Sequence, residues 1–391
     1  MTIHEHFINN GIAAHNKLKL LVFHPYLAPY RMDFFNALAK LFDLKIIFMY
    51  ENLPEQKFNQ DCLREKLNCN YSYLLSGVNI NRRQLRLGVY KEINLFHPDV
   101  IVCHEFGPTT TMVSMLKMLN PAKKIKLLVT TDDSLDICSK VSFIRSVFRY
   151  FNLKYIDCLI TVNNKVAGWY KTNYPKLKII GTCPIIQSED VFRSNLSKAI
   201  PFAKSYVLNN NLQGKKIVLC VSRLAAVKGI DRTLKAFYNV LKEHKDTIMV
   251  VVGEGDERNE LFRIIKELNL DNNVKFVGRY EGTELLGWYL LGHVFVLASH
   301  YEPFGAVVNE ALLSGIPVVC SSKAGAASLI EEGKNGGLVD PLDVAIMSSL
   351  IKRLIKNVEP IDINSLCVRD SLMPFNFKLA IDEFESVVVD M

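Results

Sequence analysis

The stretch from residue 293 to residue 320, HVFVLASHYEPFGAVVNEALLSGIPVVC, is the part of the chain that most restricts its fold. It begins and ends with apolar runs, at residues 294–298 and 316–320, each short enough for a buried strand. Residues 306–313 between them predict a helix, which a glycine and a proline then end. A strand, a helix and a second strand in this order form a parallel crossover unit. The loop 302–305 should therefore lie at the carboxyl end of a strand, where α/β folds bind ligands.

Two glutamates and a glycine give this loop its chemistry. Glu302 precedes the predicted helix and Glu310 lies within it, while the backbone near Gly305 would present N–H groups at a helix N-terminus. Such a terminus binds phosphate, and a carboxylate on each side suits a ligand that carries both hydroxyls and phosphates. The alternative is that Glu302 only favours the helix dipole and that Glu310 lies on a solvated face. This stretch alone leaves both interpretations open.

A second strand-loop-helix unit carries basic residues. Residues 217–221 predict a strand and residues 231–242 a helix, with Arg223 and Lys228 in the loop between them. Two basic residues on an isolated loop are usually solvated. At the carboxyl end of the same sheet as the glutamate loop, however, they would neutralise a bound diphosphate.

The segment IMVVVGEGDERNEL contains Gly253 and Gly255, which match part of a dinucleotide-binding fingerprint. Only two of the three glycines are present, and the unit lies deep in the chain rather than in a first strand-helix turn, so a dehydrogenase is a poor interpretation. The two glycines instead predict a tight turn from strand to helix.

The composition argues against several classes of protein. With 49% hydrophobic and 22% charged residues, this chain of 391 residues is typical of a well-cored protein of two or three domains. No run approaches the about 18 apolar residues of a membrane span, and the first seventeen residues lack the pattern of a signal peptide, so we expect a cytoplasmic protein. The nine cysteines never form a C-x-x-C pair, which argues against a zinc site or a disulfide framework.

Positive charge is concentrated in the first half of the chain. Residues 1–200 contain 26 Lys and Arg against 16 Asp and Glu, a balance of +10, whereas residues 201–391 contain 21 against 24, a balance of −3. The basic residues cluster at 82–91, 117–126 and 140–154. An anionic membrane surface and ordinary solvation both explain these clusters. Nucleic acid explains them poorly, because no recognition motif accompanies the charge.

The first half also alternates between strands and helices. Strands are predicted at residues 18–23, 44–49, 100–103, 126–131 and 157–162. An apolar stripe within 139–157 predicts a helix packed in the core, and residues 195–205 are interpreted as the link between two domains.

Charged residues stand next to these predicted elements. Arg31 is a cation at a helix start, where the dipole favours an anion, so it either faces solvent or answers an acidic group. His104 follows one strand, either as a hydrogen-bonded structural residue or as part of a site. Asp132 and Asp133 follow another strand, and they are adjacent rather than spaced as a D-x-D metal pair.

The sequence resembles the retaining glycosyltransferases of family 4, also called glycosyl transferases group 1. The motifs that carry the resemblance are EPFGAVVNEALLSGIPVV, with its paired glutamates, VSRLAAVKGIDRTLKAF, VVGEGDERNEL and VKFVGRY. The resemblance is strong over residues 217–340 and weaker in the first half. In the first half the sequence differs from the family pattern at two places. Ala28-Pro29-Tyr30-Arg31 replaces a glycine-rich loop, and Asp132 lies at the end of a strand where many members have a histidine.

The resemblance implies an α/β fold of the GT-B architecture, in which two Rossmann-like domains with parallel sheets face each other. Residues 1–198 would bind the acceptor and residues 199–373 the nucleotide sugar, and a helix at 374–391 would cross back to the first domain. It further implies transfer of a sugar, with retention, from a nucleoside diphosphate sugar to a hydroxyl of a glycan or lipid-linked acceptor. The expected setting is surface polysaccharide assembly, either in the cytoplasm or peripherally on the inner face of the cell membrane.

The resemblance also assigns roles to individual residues, with no cofactor, no metal ligands and no nucleic-acid partner, and with a UDP-sugar favoured over a GDP-sugar. The catalytic set is Arg223, Lys228, Glu302 and Asp132. The donor-binding set is Gly253, Gly255, Val277, Arg279, Pro303, Phe304, Gly305, Ala306 and Glu310. The acceptor side holds Arg31 and His104. Two alternatives remain open at this point: an epimerase or phosphorylase of the same architecture, and a non-catalytic protein that binds nucleotide sugars.

Overall fold

Two parallel β-sheets organise the computed structural model, which describes residues 17–52, 58–80, 83–122, 124–177 and 179–391. The first half contains β1 (Lys19–His24), β2 (Asp43–Phe48), β3 (Asn70–Tyr73), β4 (Gly77–Ile80), β5 (Arg83–Arg86), β6 (Val100–His104), β7 (Lys126–Thr131), β8 (Cys158–Thr161) and β9 (Ile179–Thr182). The second half contains β10 (Lys216–Val221), β11 (Thr247–Val252), β12 (Val274–Gly278), β13 (Val294–Leu297), β14 (Val318–Ser321) and β15 (Gly336–Val339).

Helices connect these strands and cover the sheets. In the first half they are α1 (Met32–Leu41), α2 (Gln60–Glu65), α3 (Val89–Phe96), α4 (Pro108–Leu119), α5 (Leu135–Ser139), α6 (Phe143–Leu153) and α7 (Asn164–Asn173). They continue as α8 (Glu189–Lys198), α9 (Ile200–Asn209), α10 (Ile230–Leu241), α11 (Arg258–Glu267), α12 (Gly282–Leu291), α13 (Ala306–Leu313), α14 (Val344–Ile355) and α15 (Phe377–Val389). Short 3₁₀ turns lie at Pro29–Arg31, Ala226–Lys228 and Gly325–Leu329.

The strand order gives each sheet a switch point. The first sheet runs β3-β2-β1-β6-β7-β8-β9 and the second β12-β11-β10-β13-β14-β15, with parallel pairing throughout, while β4 and β5 form a separate antiparallel hairpin. In each sheet the first strands are added on one side of the starting strand, and the later strands are added on its other side. The order therefore reverses between β1 and β6 in the first sheet and between β10 and β13 in the second. Crevices for ligands open beyond the carboxyl ends of strands at such points. The predicted two-sheet GT-B architecture is confirmed.

Apolar strand sequences explain why these sheets are covered on both faces. All six residues of β11, TIMVVV, are buried, and so are those of β13 and β14. A strand that is buried on both faces needs a continuous apolar run rather than an alternating one, and these runs were visible in the sequence. Between β2 and α3 the structure has α2, the edge strand β3 and the hairpin, whose mixed sequences lack this signal.

The stretch 195–205, interpreted as the link between domains, lies within α8 and α9, and both helices contact α12 of the second half. The chain leaves the first sheet at the end of β9 and reaches α8 through residues 183–188. The domain boundary between residues 198 and 199 stays a prediction.

The core interpretation of the apolar stripe in 139–157 is wrong. Helix α6 turns that stripe to solvent and buries Arg149 and Asn152 instead. Asn152 accepts a hydrogen bond from Ser114 (2.8 Å) and donates one to Thr111 (3.1 Å), and Arg149 donates one to the Cys138 carbonyl (2.6 Å). Because these buried polar groups are all satisfied, the polar side of the helix can face inward.

Several members of the basic clusters are bound within the protein. Arg86 is buried and donates hydrogen bonds to the Met49 carbonyl, and Lys117 pairs with Asp157. Arg82, Lys123 and the side chain of Arg83 lie outside the described residues. The charge count of the first half therefore overstates the number of positive side chains on its surface that could bind a partner.

Helix α15 returns to the first half, as predicted for the crossover helix. It contacts α1 and β9, and Phe384 packs edge-on against Phe34 with ring centroids 5.2 Å apart. Phe384 belongs to the same buried cluster as the strand residues Val22 and Ile46. The last helix therefore completes the hydrophobic core of the first sheet.

We expect Phe384→Ala to lower the free energy of unfolding by about 3–5 kcal/mol, because it leaves a cavity in this cluster. Urea denaturation should show the shift, with Phe375→Ala as a matched control, since Phe375 is 47% exposed. Equal midpoints for the two variants would contradict the assignment of Phe384 to the core.

Candidate active site

Two loops meet beyond the switch point of the second sheet. One follows β10 and contains Arg223 and Lys228, and the other follows β13 and contains Glu302. The His300 amide donates a hydrogen bond to the Val227 carbonyl (2.8 Å), which joins the two loops. Gly229 (φ 64°) lies at their closest approach, where a Cβ would be 2.3 Å from the Ala298 carbonyl oxygen. Only glycine permits this contact.

Gly253 and Gly255 bring a third loop against the first. A Cβ at Gly253 would lie 1.9 Å from the Ser222 carbonyl oxygen, and one at Gly255 would lie 2.3 Å from that of Leu224. The Leu224 amide donates to the Glu254 carbonyl (2.9 Å), so the loop that carries Arg223 is held by backbone contacts. The glycines thus serve close backbone approach as well as the predicted turn.

Lys228 and Glu302 form an ion pair at this junction. Lys228 Nζ lies 2.6 Å from Glu302 Oε2, and the Ser299 hydroxyl donates to the same oxygen (3.0 Å). Both side chains are largely buried, at 15% and 11% exposure. An ammonium group has three N–H donors, so the carboxylate fixes the lysine while other donors remain for a ligand.

The loop before α13 is fixed in the same way. Gly305 has a left-handed conformation (φ 96°), and a Cβ there would press on Leu297 at 2.9 Å and on Glu302 at 3.2 Å. The Ala326 amide donates to the Phe304 carbonyl (2.8 Å), and the backbone of Gly325 packs on that of Pro303. Ala306 then begins α13, whose first N–H groups have no acceptor within the helix. This arrangement places a helix N-terminus beside Glu302, and anion binding there stays a prediction.

Glu310 is a partly buried carboxylate that accepts two hydrogen bonds. The Tyr289 hydroxyl donates to Oε2 (2.8 Å), and the Gln187 side-chain amide donates to Oε1 (3.3 Å). Burial raises the pKa of Glu310, and the two donors oppose that shift. The Gln187 backbone amide also donates to Asn309 (2.9 Å). The solvated-face interpretation of Glu310 is therefore wrong.

Val277 and Arg279 lie at the far side of this crevice. Val277 is in β12, the outer strand beyond β11, and Arg279 follows it and pairs with Glu281. Their role in donor binding stays a prediction.

A second charged cluster lies at the switch point of the first sheet. Arg31 Nη2 is 2.5 Å from Asp132 Oδ1, and His104 Nε2 is 3.7 Å from Asp132 Oδ2. The His24 ring packs on that of His104 with centroids 4.8 Å apart. Arg31 therefore answers an acidic group of the protein itself, and three residues predicted separately lie together.

Burial and charge set the protonation of this cluster. Burial opposes ionisation of Asp132, but Arg31 and His104 outweigh it and hold the pKa of that carboxyl below its ordinary value. Burial lowers the pKa of His104, although Asp132 acts in the opposite sense. At neutral pH the site therefore holds an ionised Asp132 beside a neutral imidazole.

Sequence reasoning missed Glu105, an acidic residue next to this cluster. Glu105 has a left-handed backbone (φ 62°), and its carboxylate accepts hydrogen bonds from the Asp132 amide (2.8 Å) and the Thr131 hydroxyl (3.2 Å). Burial, followed by Asp133 and Asp132, raises its pKa well above the usual range. Its position directly after a strand was a signal, but its unusual backbone could not be inferred from the residue type.

The two clusters face each other across a cleft. Asn163 of the first half donates a hydrogen bond to the Gly325 carbonyl of the second (3.3 Å). Burial and Asp133 raise the pKa of Tyr301 in the second half, and Arg145 of the first half is near enough to oppose that shift. Burial raises the pKa of Tyr26 in the first half, and Arg223 of the second half is near enough to oppose that shift. The cleft thus has the Arg223 loop and the Glu302 loop on one side and the Asp132 cluster on the other.

Within the described ranges, no group of three or more His, Cys, Asp and Glu side chains could hold a metal ion. Nor does any helix in these ranges have the length and apolar character needed to cross a membrane.

Known proteins resemble part of this chain in sequence. Residues 207–362 match the family model of glycosyl transferases group 1. Spore coat protein SA of Bacillus subtilis is 37% identical over 137 residues, which are 33% of this chain and 36% of that protein. An uncharacterized glycosyltransferase of Methanocaldococcus jannaschii is 32% identical over 196 residues, 49% of this chain and 48% of that protein. The chain spans between about a third and a half of the length of these curated relatives.

A solved structure covers nearly the whole chain. The crystal structure of HepE from Anabaena, in complex with UDP and glucose, superimposes with a TM-score of 0.73 over 96% of this chain and 100% of that one. The sequence identity is 17%, so this likeness shows the fold alone.

The Glu105 carboxyl predicts a pH dependence of stability. Its pKa is raised in the folded protein, so its contribution is fully present below the unfolded pKa of about 4.3 and is lost as pH rises through the folded value. We therefore expect Glu105→Gln to become more stable than the wild type as pH rises from 4 to 8, as measured by urea midpoints. The exposed Glu65→Gln variant is the control, and a constant difference across this range would contradict the assignment.

Proposed function

We propose that this chain transfers a glycosyl group, with retained configuration, from a nucleoside diphosphate sugar to a hydroxyl of a glycan or lipid-linked acceptor. The observation that carries the proposal is the convergence of Arg223, Lys228, Glu302 and the α13 terminus at one switch point. These groups combine positive charge, backbone N–H donors and a carboxylate, which suits a ligand with a diphosphate and sugar hydroxyls. All of them lie in the segment that matches the group 1 family model.

The donor side has a distinct task for each group. Arg223 and Lys228 would neutralise the diphosphate, and Glu310 would accept hydrogen bonds from the ribose hydroxyls. Glu302, with the backbone of residues 304–306, would orient the sugar. HepE, which has the same fold, is described with bound UDP and glucose, and this supports a UDP-sugar over a GDP-sugar.

The chemical step needs no protein nucleophile. The bond between the sugar carbon and the diphosphate oxygen breaks, and the acceptor oxygen bonds to the same carbon on the same face. The acceptor proton passes to the departing phosphate oxygen. Catalysis then depends on stabilising the charge that develops on the diphosphate and on positioning the two substrates. Asp132, His104 and Arg31 would line the acceptor side.

The cellular setting belongs to the same proposal. The family resemblance supports surface polysaccharide assembly on the cytoplasmic side of the cell membrane, with peripheral contact to an anionic surface. Of the alternatives, an epimerase or phosphorylase would use the same donor site, and a binding protein would hold the nucleotide sugar without turnover.

Release of nucleoside diphosphate, measured with and without candidate acceptors, tests the proposal. We expect release that depends on the acceptor and a glycosylated product with the anomeric configuration of the donor. Acceptor-independent conversion of the donor would favour the epimerase or phosphorylase. Nucleotide-dependent thermal stabilisation without turnover would favour the binding protein, since a ligand at about 100 times its dissociation constant adds roughly 2.7 kcal/mol.

Replacing Arg223 or Lys228 by Ala should raise the barrier to transfer by about 1.5–3 kcal/mol, the range for hydrogen bonds to charged groups. Steady-state rates of nucleotide release measure the effect, and circular dichroism checks that both variants fold. Lys235→Ala, an exposed lysine on α10, is the matched control and should leave the rate unchanged. Wild-type rates in both variants would remove the proposed neutralising role.

Transfer should persist in excess EDTA, because Arg223 and Lys228 would supply the positive charge that a divalent ion supplies in metal-dependent transferases. The measurement compares initial rates with EDTA, with magnesium and with manganese. Loss of activity in EDTA and its recovery on adding either ion would show that the positive side chains are not sufficient.

A further inference from the structure

Helix α6 presents apolar side chains to solvent along most of its length. Phe143 is 83% exposed, Ile144 61%, Val147 51% and Tyr150 57%. Soluble monomeric proteins rarely expose such side chains together unless the surface binds a partner. This face is therefore a candidate interaction surface.

The orientation of α6 is fixed by its opposite side. Arg149 is hydrogen-bonded to Cys138, and Asn152 to Ser114 and Thr111. Rotating the helix to bury its apolar face would break these hydrogen bonds. The Arg149 guanidinium also lies over the Trp169 and Tyr170 rings, 5.5 and 5.4 Å from their centroids. A buried polar group that loses its partner costs about 1–3 kcal/mol, so the apolar face stays outward.

Neighbouring elements also expose apolar side chains. Helix α4 contacts both α6 and β5. Its exposed residues are Met115, Met118 and Leu119, and those in or beside β5 are Leu85 and Leu87. Exposed apolar groups thus extend from α6 to the hairpin on the outside of the first half.

The charge on α6 itself is positive. Residues 137–156, ICSKVSFIRSVFRYFNLKYI, contain four basic residues and no acidic one. Asp136 directly before this stretch pairs with Lys140, and Arg145 and Arg149 face Asp133 on the inner side of the helix, so Lys140 and Lys154 are the cations beside the exposed face. The Lys140 side chain is 70% exposed, and Lys154 Nζ lies 4.5 Å from the centroid of the exposed Tyr150 ring. Aromatic and apolar side chains with lysines at their edge are typical of helices that lie in the interface of an anionic bilayer.

We propose that the exposed face of α6, defined by Phe143, Ile144, Val147, Phe148 and Tyr150, docks on an anionic lipid bilayer. The apolar side chains enter the boundary between headgroups and acyl chains, about 5–10 Å deep, while the lysines contact the headgroups. The helix lies in the surface and does not cross it.

The position of α6 relates this surface to the cleft. Arg145 of α6 lies 3.6 Å from Asp133, which follows β7, and is near enough to Tyr301 of the second half to affect its pKa. A protein docked through α6 therefore holds one rim of its cleft near headgroup depth, within reach of a hydroxyl on a lipid-linked molecule. This last step rests on the proposed function, whereas binding to the bilayer does not.

Co-sedimentation with vesicles tests the proposal without any turnover. The full chain should bind vesicles of phosphatidylglycerol and phosphatidylcholine, and bind much less to phosphatidylcholine alone. Phe143→Ser/Val147→Ser should weaken binding to the anionic vesicles about tenfold or more, because two buried apolar side chains are lost. Lys140→Gln and Lys154→Gln should each weaken it about fivefold, and salt should weaken it further.

The matched control is Leu208→Ser/Leu379→Ser, which removes two side chains that are each 67% exposed on α9 and α15. This variant should bind vesicles as the wild type does. Wild-type binding by Phe143→Ser/Val147→Ser, or equal binding of the wild type to both kinds of vesicle, would overturn the proposal. So would a dimer in sedimentation velocity that dissociates in Phe143→Ser/Val147→Ser, because a second copy would then cover the face.

Nucleotide release with a soluble acceptor separates the two proposals. Phe143→Ser/Val147→Ser should keep the wild-type rate in that assay, since neither residue lies in the cleft clusters. A protein that binds vesicles through α6 but releases no nucleotide would leave the docking surface in place and contradict only the transferase.

Discussion

The pairing of β10 with β13 is the constraint on which the candidate site depends. These strands are separated by more than seventy residues in the chain, yet their parallel register places Val218 opposite Val294. That register sets the loops after both strands side by side, and Gly229 then allows their backbones to touch. The ion pair between Lys228 and Glu302 is possible only because of this contact. A shift of one residue in register would separate the two groups and turn the buried strand residues to the wrong faces.

The two sides of the cleft use charge differently. On the second half, Arg223 and Lys228 lie in a loop beside a helix N-terminus, an arrangement that suits an anionic ligand. On the first half, Arg31 is paired with Asp132 inside the protein, and burial keeps His104 neutral. The first half therefore offers an ionised carboxylate and a neutral imidazole rather than net positive charge at its switch point. This asymmetry is consistent with a phosphate-bearing ligand on one side and a hydroxyl-bearing one on the other.

Local sequence patterns predicted the sheets and most of the loop residues at the switch points. The apolar runs predicted the strands because strands buried on both faces need them, and the residues around Glu302 and Glu310 predicted the loop and the helix start at this place. What the sequence could not supply were contacts between distant segments. Gln187 contacts Glu310 only because residues 183–188 pass beside α13, and Tyr289 reaches the same carboxylate from α12. Helix α6 shows the same limit, because its stripe was visible but its direction depended on Ser114 and Thr111 in α4.

The return of α15 to the first sheet also affects when the first half can finish folding during translation. The chain is made from its amino end, so the strands of the first half emerge long before Phe384, which fills their core. Until then the cluster around Val22 and Ile46 lacks one of its aromatic side chains, and the first half exists as an incomplete unit while the second half is being made. The first half therefore cannot reach its final state before the second half has been translated, and slow release of the last helix would prolong exposure of an unfinished hydrophobic core.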